Sequence, residues 1–232
     1  MPDARRPLPQ ISTRTNAVIS SVDWLFEPAW RGERLMARIR GDRVDLWDRF
    51  GDAAESSLSE AREVLASSVD AEEAVLDGVW TAQPFVGVGS AAYNLAETLA
   101  EEGLADEYPD PIENETRRAF VAIDLLELDG TLLHDVPYQE RHRLLESVVD
   151  ENVRVRVTPA VRVPVEHWLH AWRVSGFTHY VAKQVNSRYR PGEPSDEWLE
   201  IPTERHREPS MIGRLVGQRG PRQSRIGDAR KR

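Results

Sequence analysis

Residues Ala119–Leu128 read AFVAIDLLEL, ten positions interrupted only by Asp124 and Glu127. A run so short and so apolar fits a central β-strand, and the Asp129-Gly130 pair that follows is a turn signal that ends it. The rest of the fold has to be arranged around that strand. Residues 35–40 and 43–47 flank Gly41-Asp42, the pattern of a β-hairpin. Ala74–Thr81 is a second short apolar run and reads as a buried strand. Residues 57–69 place Leu58, Ala61, Val64 and Leu65 at helical spacing. Pro137 opens a helix to about Val149, with Leu144, Leu145 and Val148 on one face. Residues 153–157 alternate valine and arginine, the pattern of a half-buried strand. Residues 165–174 read as a helix closed by Gly176, with strands at 177–185 and 197–201. Ser90 to Glu102 reads as a further helix. Strands and helices mixed without regular βαβ spacing predict an α+β fold built mainly on antiparallel sheets.

Residues 1–16 and 203–232 are rich in Arg, Pro, Gly and polar residues and lack apolar periodicity, so they are expected to be a disordered lead and a disordered basic tail around a domain at 17–202. The net charge of −9 is uneven: from Thr203 onward nine basic residues face three acidic ones, leaving +6 on the tail and −15 on the body. An acidic body does not attract phosphate backbones, whereas the tail can contact nucleic acid or an acidic partner, and the body can dock another protein. No run of about 18 apolar residues exists, so no membrane span is expected, and with no cysteine or secretory signal the default location is cytoplasmic. Lys183 and Lys231 are the only lysines, so any mechanism that needs a lysine can be checked by inspection.

Four segments, in order, carry a resemblance. FVAIDLLELDGTLLHDVPYQERHRLLESVV (120–149) is similar to Y-V-x-F-D-L-L-x-L-D-G and the P-x-x-x-R-x-x-L-L helix that follows it. VAKQVNSRYRPGEPSDEWLEI (181–201) resembles V-V-A-K-x-x-x-S-x-Y-x-P-G-x-R-S-x-x-W-L-K-V-K. FEPAWRGERLMARI (26–39) resembles E-P-K-W-D-G-x-R, and AVLDGVW (74–80) resembles the L-D-G-E-L strand. Together they resemble the adenylation domain of ATP-dependent DNA ligases over residues 20–202. The resemblance implies the nucleotidyltransferase fold shared by DNA ligases and mRNA-capping enzymes: antiparallel sheets with flanking helices around a cleft. It also implies a lysine that attacks the α-phosphate of ATP, two glutamates on a divalent metal, an aromatic ring on adenine, and two late lysines on the phosphates. The nucleophile must be an amine with a lone pair, and the metal and cations must offset charge at the attacked phosphate. The OB-fold barrel that follows in such ligases is expected to be absent here.

Each of those positions departs from the pattern. The nucleophile position is Ala29, and the acid two residues on is Arg31. Val79 and Thr178 stand for the metal glutamates, and Ile123 for the aromatic, with Phe120 near enough in sequence to substitute. Glu200 and Pro202 stand for the late lysines. Gly32, Arg34, Asp124, Lys183, Tyr189, Pro191 and Gly192 survive, mostly as scaffold, with Gly32 suited to a tight turn and Asp124 to a structural role. Arg34, Phe120, Ile123, Asp124 and Lys183 remain as possible nucleotide-binding remnants. The expectation is a catalytically inactive ligase relative in the DNA-repair lineage acting as a binding or scaffold protein, with no cofactor, and with ATP and Mg²⁺ only if the family activity survives. The alternatives are an active minimal ligase with Lys183 as a relocated nucleophile, and a non-covalent nucleotide sensor using Arg34 and Lys183.

Weaker features take bland readings. Gly87-Val88-Gly89-Ser90 lacks the Gly-Lys-Ser/Thr ending of a phosphate cradle. His167 and His170 beside Glu166 do not have zinc spacing. The acidic run 106–115 reads as a solvated loop, and the seven tryptophans as core, with Trp168 and Trp172 on one helix face.

Overall fold

The protein is described by a computed structural model, which covers residues 6–83 and 118–204. The helix expected at Ser90 to Glu102, the glycine loop before it, the acidic run 106–115 and the tail beyond 204 lie outside the described residues.

Two sheets face each other. The first carries β1 (Ile11–Arg14), β10 (Pro194–Pro202), β9 (His179–Gln184) and β2 (Trp24–Pro28), in that order. The second runs β4 (Arg43–Asp48), β3 (Glu33–Arg40), β5 (Ala74–Thr81), β6 (Ala119–Leu128) and β7 (Thr131–Leu132), with β8 (Val155–Val157) beside β6. Pairing is antiparallel except for β1 with β10 and β6 with β8. The helices α1 (Ser59–Ala66) and α2 (Tyr138–Val148) cover the far side of the second sheet, and α3 (Glu166–Val174) covers the far side of the first.

Strand phase explains the layers, because successive side chains point to opposite faces. On β3, Leu35, Ala37 and Ile39 pack towards α1 and α2, while Met36 points into the space between the sheets. On β2, Leu25 points between the sheets and Phe26 towards α3. Leu25, Met36, Trp47, Val75, Leu126, Tyr189 and Trp198 form the core between the two sheets. Buried large side chains of this kind contribute roughly 1.5–3 kcal/mol each. On β6 the phase changes at an irregularity: Gly78 pairs with Ala122 and Asp77 with Asp124, which leaves Ile123 as the extra residue of a bulge. A bulge re-aims a side chain, and Ile123 borders the cleft while Phe120, Ala122 and Leu125 stay in the helix-side core.

The hairpin at Gly41, the buried strand β5, the apolar strand β6 with its turn at Asp129-Gly130, α2 after Pro137, and α3 ending at Gly176 stand as expected. Trp168 and Trp172 pair at 6.4 Å on α3. Other readings need correction. The lead 1–16 is not wholly without structure: Ile11–Arg14 is a strand, and the Trp47 indole donates to the carbonyl of Pro7 at 2.9 Å. Local periodicity could not reveal it, because the strand exists through its partner β10. Strand β2 was not foreseen, and β10 begins three residues earlier than its apolar pattern suggested. The helix expected at 57–69 is a 3-10 turn followed by α1. The strand at 153–157 is shorter and buried on both faces, Arg156 included, because it lies against β6. Thr203 belongs to the fold, donating its N–H to the carbonyl of Thr178 at 2.9 Å and its hydroxyl to that of Phe177 at 3.0 Å. No helix among the described residues is long and apolar enough to cross a membrane.

Candidate functional site

The space between the sheets opens into a cleft of about 570 Å³. Register builds its walls. Along one rung of the first sheet Arg14, Glu200, Val181 and Glu27 lie side by side, and along the next Trp198, Lys183 and Leu25. Ala29 follows β2, its N–H donating to the carbonyl of His179 at 3.1 Å. The second sheet supplies Arg34 and Val79, paired across β3 and β5, and Ile123. Ala29, Val79, Ile123, Thr178 and Glu200 therefore converge on one cleft together with Arg34 and Lys183.

Three other sequence candidates do not meet there. Phe120 is fully buried in the helix-side core, its ring against Gly78, so it cannot replace the adenine-stacking ring. Asp124 is fully buried and accepts from Arg141 Nε at 2.8 Å and Nη2 at 2.9 Å, a bidentate pair that fixes α2 on β6. Arg141 also donates to the carbonyls of Val136 and Ser187, which ties the start of α2 to the loop after β9. Asp124 is thus structural. Pro202 borders a separate hollow with Val165, Leu169 and Tyr180.

Lys183 lies at the floor of the cleft and is 1% exposed. Its ammonium donates to the carbonyl of Ile123 at 2.9 Å, pairs with Glu27 Oε1 at 2.9 Å, and sits 4.2 Å from the Trp198 ring centroid and 4.5 Å from that of Tyr138. The Tyr138 hydroxyl donates to the same carboxylate oxygen of Glu27. Burial, and then the charge on Glu27, push the Tyr138 phenol well above its usual range, so it keeps its proton and acts as a donor. To attack, this side chain would have to give up a proton and its hold on the Glu27 carboxylate and the Ile123 carbonyl, since only an amine with a lone pair is a nucleophile.

The substituted positions satisfy one another. Arg31, in place of an acid, donates to the Thr178 hydroxyl, in place of a metal glutamate, at 2.9 Å. Glu200, in place of a phosphate-binding lysine, pairs with Arg14 at 3.3 Å. Val79 offers no oxygen, and Glu27 and Glu200 each face a cation. This donor set does not fit the divalent metal that the family's two glutamates would hold. Among the described residues no cluster of three or more His, Asp or Glu could hold one, which also leaves His167, His170 and Glu166 as a surface group.

A second network crosses the cleft wall. Asp77, fully buried, accepts from Arg34 Nε at 2.5 Å and Nη2 at 2.6 Å and from the Tyr189 hydroxyl at 2.7 Å. Burial, and then Asp77, push the Tyr189 phenol up, so it stays protonated. Its oxygen in turn accepts the backbone N–H of Gln10 at 2.9 Å. Gln10, Arg14 and Glu27 all border the cleft, and none was singled out from the sequence. Glu27 stood in the E-P-x-W string and could have been found there. Gln10 and Arg14 gave no signal, being in the stretch read as disordered.

Two facing sheets, a helix layer on each outer side and a cleft between them are the architecture of a nucleotidyl-transfer domain. The family model for the ATP dependent DNA ligase domain matches residues 8–201, and the chain belongs to that family. It is 28% identical over 199 residues to a DNA ligase of Thermococcus onnurineus, covering 83% of this chain and 34% of that one. It is 28% identical over 220 residues to the multifunctional non-homologous end joining DNA repair protein LigD of Mycobacterium tuberculosis, covering 94% of this chain and 27% of that one. The chain therefore spans about a third or less of the length of these relatives. Among solved structures, the ligase domain of M. tuberculosis LigD aligns with a TM-score of 0.63 at 25% identity, over 85% of this chain and 60% of that one. A mycobacterial DNA ligase D complexed with ATP and MES aligns with a TM-score of 0.64 at 25% identity, over 86% and 61%.

Proposed function

We propose that this ligase-family adenylation domain does not form the lysyl-adenylate of its relatives and acts as a binding or scaffold module. One observation carries the reading: at the family's nucleophile position the cleft presents the methyl group of Ala29, and the lysine it does contain is held by Glu27 and the Ile123 carbonyl. Loss of a nucleophile alone costs several orders of magnitude in rate. Here the carboxylates that would hold the metal are replaced as well. The acidic body, at −15, is the surface for a protein partner, and the basic residues after Thr203 are the surface for nucleic acid or an acidic partner.

The test is incubation of the full chain with labelled ATP and Mg²⁺ or Mn²⁺, followed by intact-mass analysis. The expected result is an unchanged mass; a gain of one AMP per chain refutes the reading. A second reading has the position of Lys183 in its favour, since that amine does border the cleft. In that case an active ligase would use Lys183 as nucleophile, and Lys183→Ala would abolish the adduct. An adduct that persists in Lys183→Ala ends the relocated-nucleophile idea.

A further inference from the structure

The first sheet has a second face. Tyr180 and Ile201 alternate with the cleft residues Val181 and Glu200, so their side chains point to the side that α3 covers. Helix α3 leaves part of that face open. Beside the start of the helix lies a hollow of about 540 Å³, floored by Tyr180, Ile201 and Val165, each 6% exposed or less. One wall is the loop at 16–20, which holds Val18 68% exposed, and the other includes Leu169 of α3. Among the described residues the charged groups on its rim are Glu166 and Glu204, both acidic. An apolar floor with an acidic rim suits an apolar segment that carries basic residues.

We infer that this hollow takes the chain's own continuation, the segment Met211-Ile212-Gly213-Arg214-Leu215-Val216. The described residues end at Glu204, on the rim itself, so the continuation starts at the hollow. Residues 205–232 hold five Met, Ile, Leu or Val side chains, and four of them, Met211, Ile212, Leu215 and Val216, fall within six positions. Met211 is seven residues beyond Glu204, a length that spans up to roughly 23 Å, so reach does not limit the contact. Arg214 lies inside the apolar group and Arg207 and Arg219 lie to either side, opposite in sign to Glu166 and Glu204. A segment on so short a tether has an effective concentration on the order of millimolar. A foreign peptide of the same chemistry has to exceed that to displace it. Docking here sets the arginines on the opposite side of the first sheet from the cleft. The inference goes beyond the reading of the cleft and holds whether or not AMP is transferred there.

The test is limited trypsin digestion of the full chain under native conditions, with the products identified by mass. Cleavage after Arg214 is measured relative to cleavage after Arg222 of the same tail. Proteolysis follows the population of the open form, so a docked segment is cut slowly. Val18→Arg puts a cation into the hollow and repels the basic segment, and it is expected to raise that ratio about tenfold or more. Val174→Arg, the same substitution at a 76% exposed valine of α3 outside the hollow, leaves the ratio unchanged. The chain has no cysteine, so an engineered Val18→Cys/Leu215→Cys pair reports one contact only. Under air oxidation it is expected to close within a single chain, read as the loss of two hydrogens from the monomer mass. Phe50→Cys/Leu215→Cys, with its first cysteine at an exposed site on the second sheet's side, is expected to close at least tenfold more slowly. The proposal is overturned by a cleavage ratio that Val18→Arg does not change, by equal closure of the two cysteine pairs, or by disulfides that form only between two copies, which would make the occupant a second chain.

Discussion

Asp124 and Arg141 show how one residue can keep its place in a motif while its work is structural. Both are completely buried, and each satisfies the other through two hydrogen bonds. Removing one partner of such a pair strands the other charge in a low-dielectric interior, at a cost of about 3–5 kcal/mol. Arg141→Met is therefore expected to lower unfolding stability by that amount in urea melts. The double variant Asp124→Leu/Arg141→Met, which leaves no stranded charge, should recover most of the loss. If the double variant is as unstable as the single one, Asp124 has another role. The sequence favoured a structural role for Asp124, because a carboxylate on an otherwise apolar strand needs a partner, while keeping it among the possible nucleotide-binding remnants. It did not reveal the partner, which lies on a different element.

At the scale of the strand, phase decides what each side chain can reach. Phe120 and Ile123 are three positions apart on β6, and the bulge between them sends Ile123 to the cleft and leaves Phe120 in the core. Sequence proximity to the family's aromatic position was therefore no guide to geometry. Phe120 has its own demand on the fold: a Cβ at Gly78 would lie 2.2 Å from its Cζ and 2.7 Å from the carbonyl oxygen of Val121. Gly78→Ala is expected to destabilise the chain by about 1–3 kcal/mol, the usual cost of overpacking a tight core. Phe120→Leu in the same chain should relieve part of that cost, and chemical denaturation of the four variants of the cycle measures the coupling. Additive losses would mean that the ring is not what Gly78 accommodates. Strand β1 makes the complementary point. Four residues with no apolar periodicity become a strand because β10 supplies their hydrogen bonds.

For the whole molecule, the cleft exists only where the two sheets meet, and the substituted positions meet there as a set. Ala29→Lys alone is expected to yield no AMP adduct by intact-mass analysis. The restored amine would face Val79 and an Arg31-bound Thr178 in place of metal carboxylates, and Glu200 in place of a cation. A stoichiometric adduct in that variant would show that the nucleophile was the only missing part. Four motif strings in register were enough to read the family and the α+β class from the sequence, because strand and helix periodicity and turn residues are local properties. The same strings marked Ala29, Val79, Ile123, Thr178 and Glu200, since which chemical groups a side chain lacks is written in its identity. Contacts between segments far apart in the chain are a different kind of information. That Glu27 holds Lys183, that Arg31 meets Thr178 and Arg14 meets Glu200, and that Gln10 is fixed to Arg34 through Tyr189 and Asp77 all depend on strand register, a bulge and the closure of two sheets. Those are relations of three-dimensional packing, and tertiary structure alone decided them.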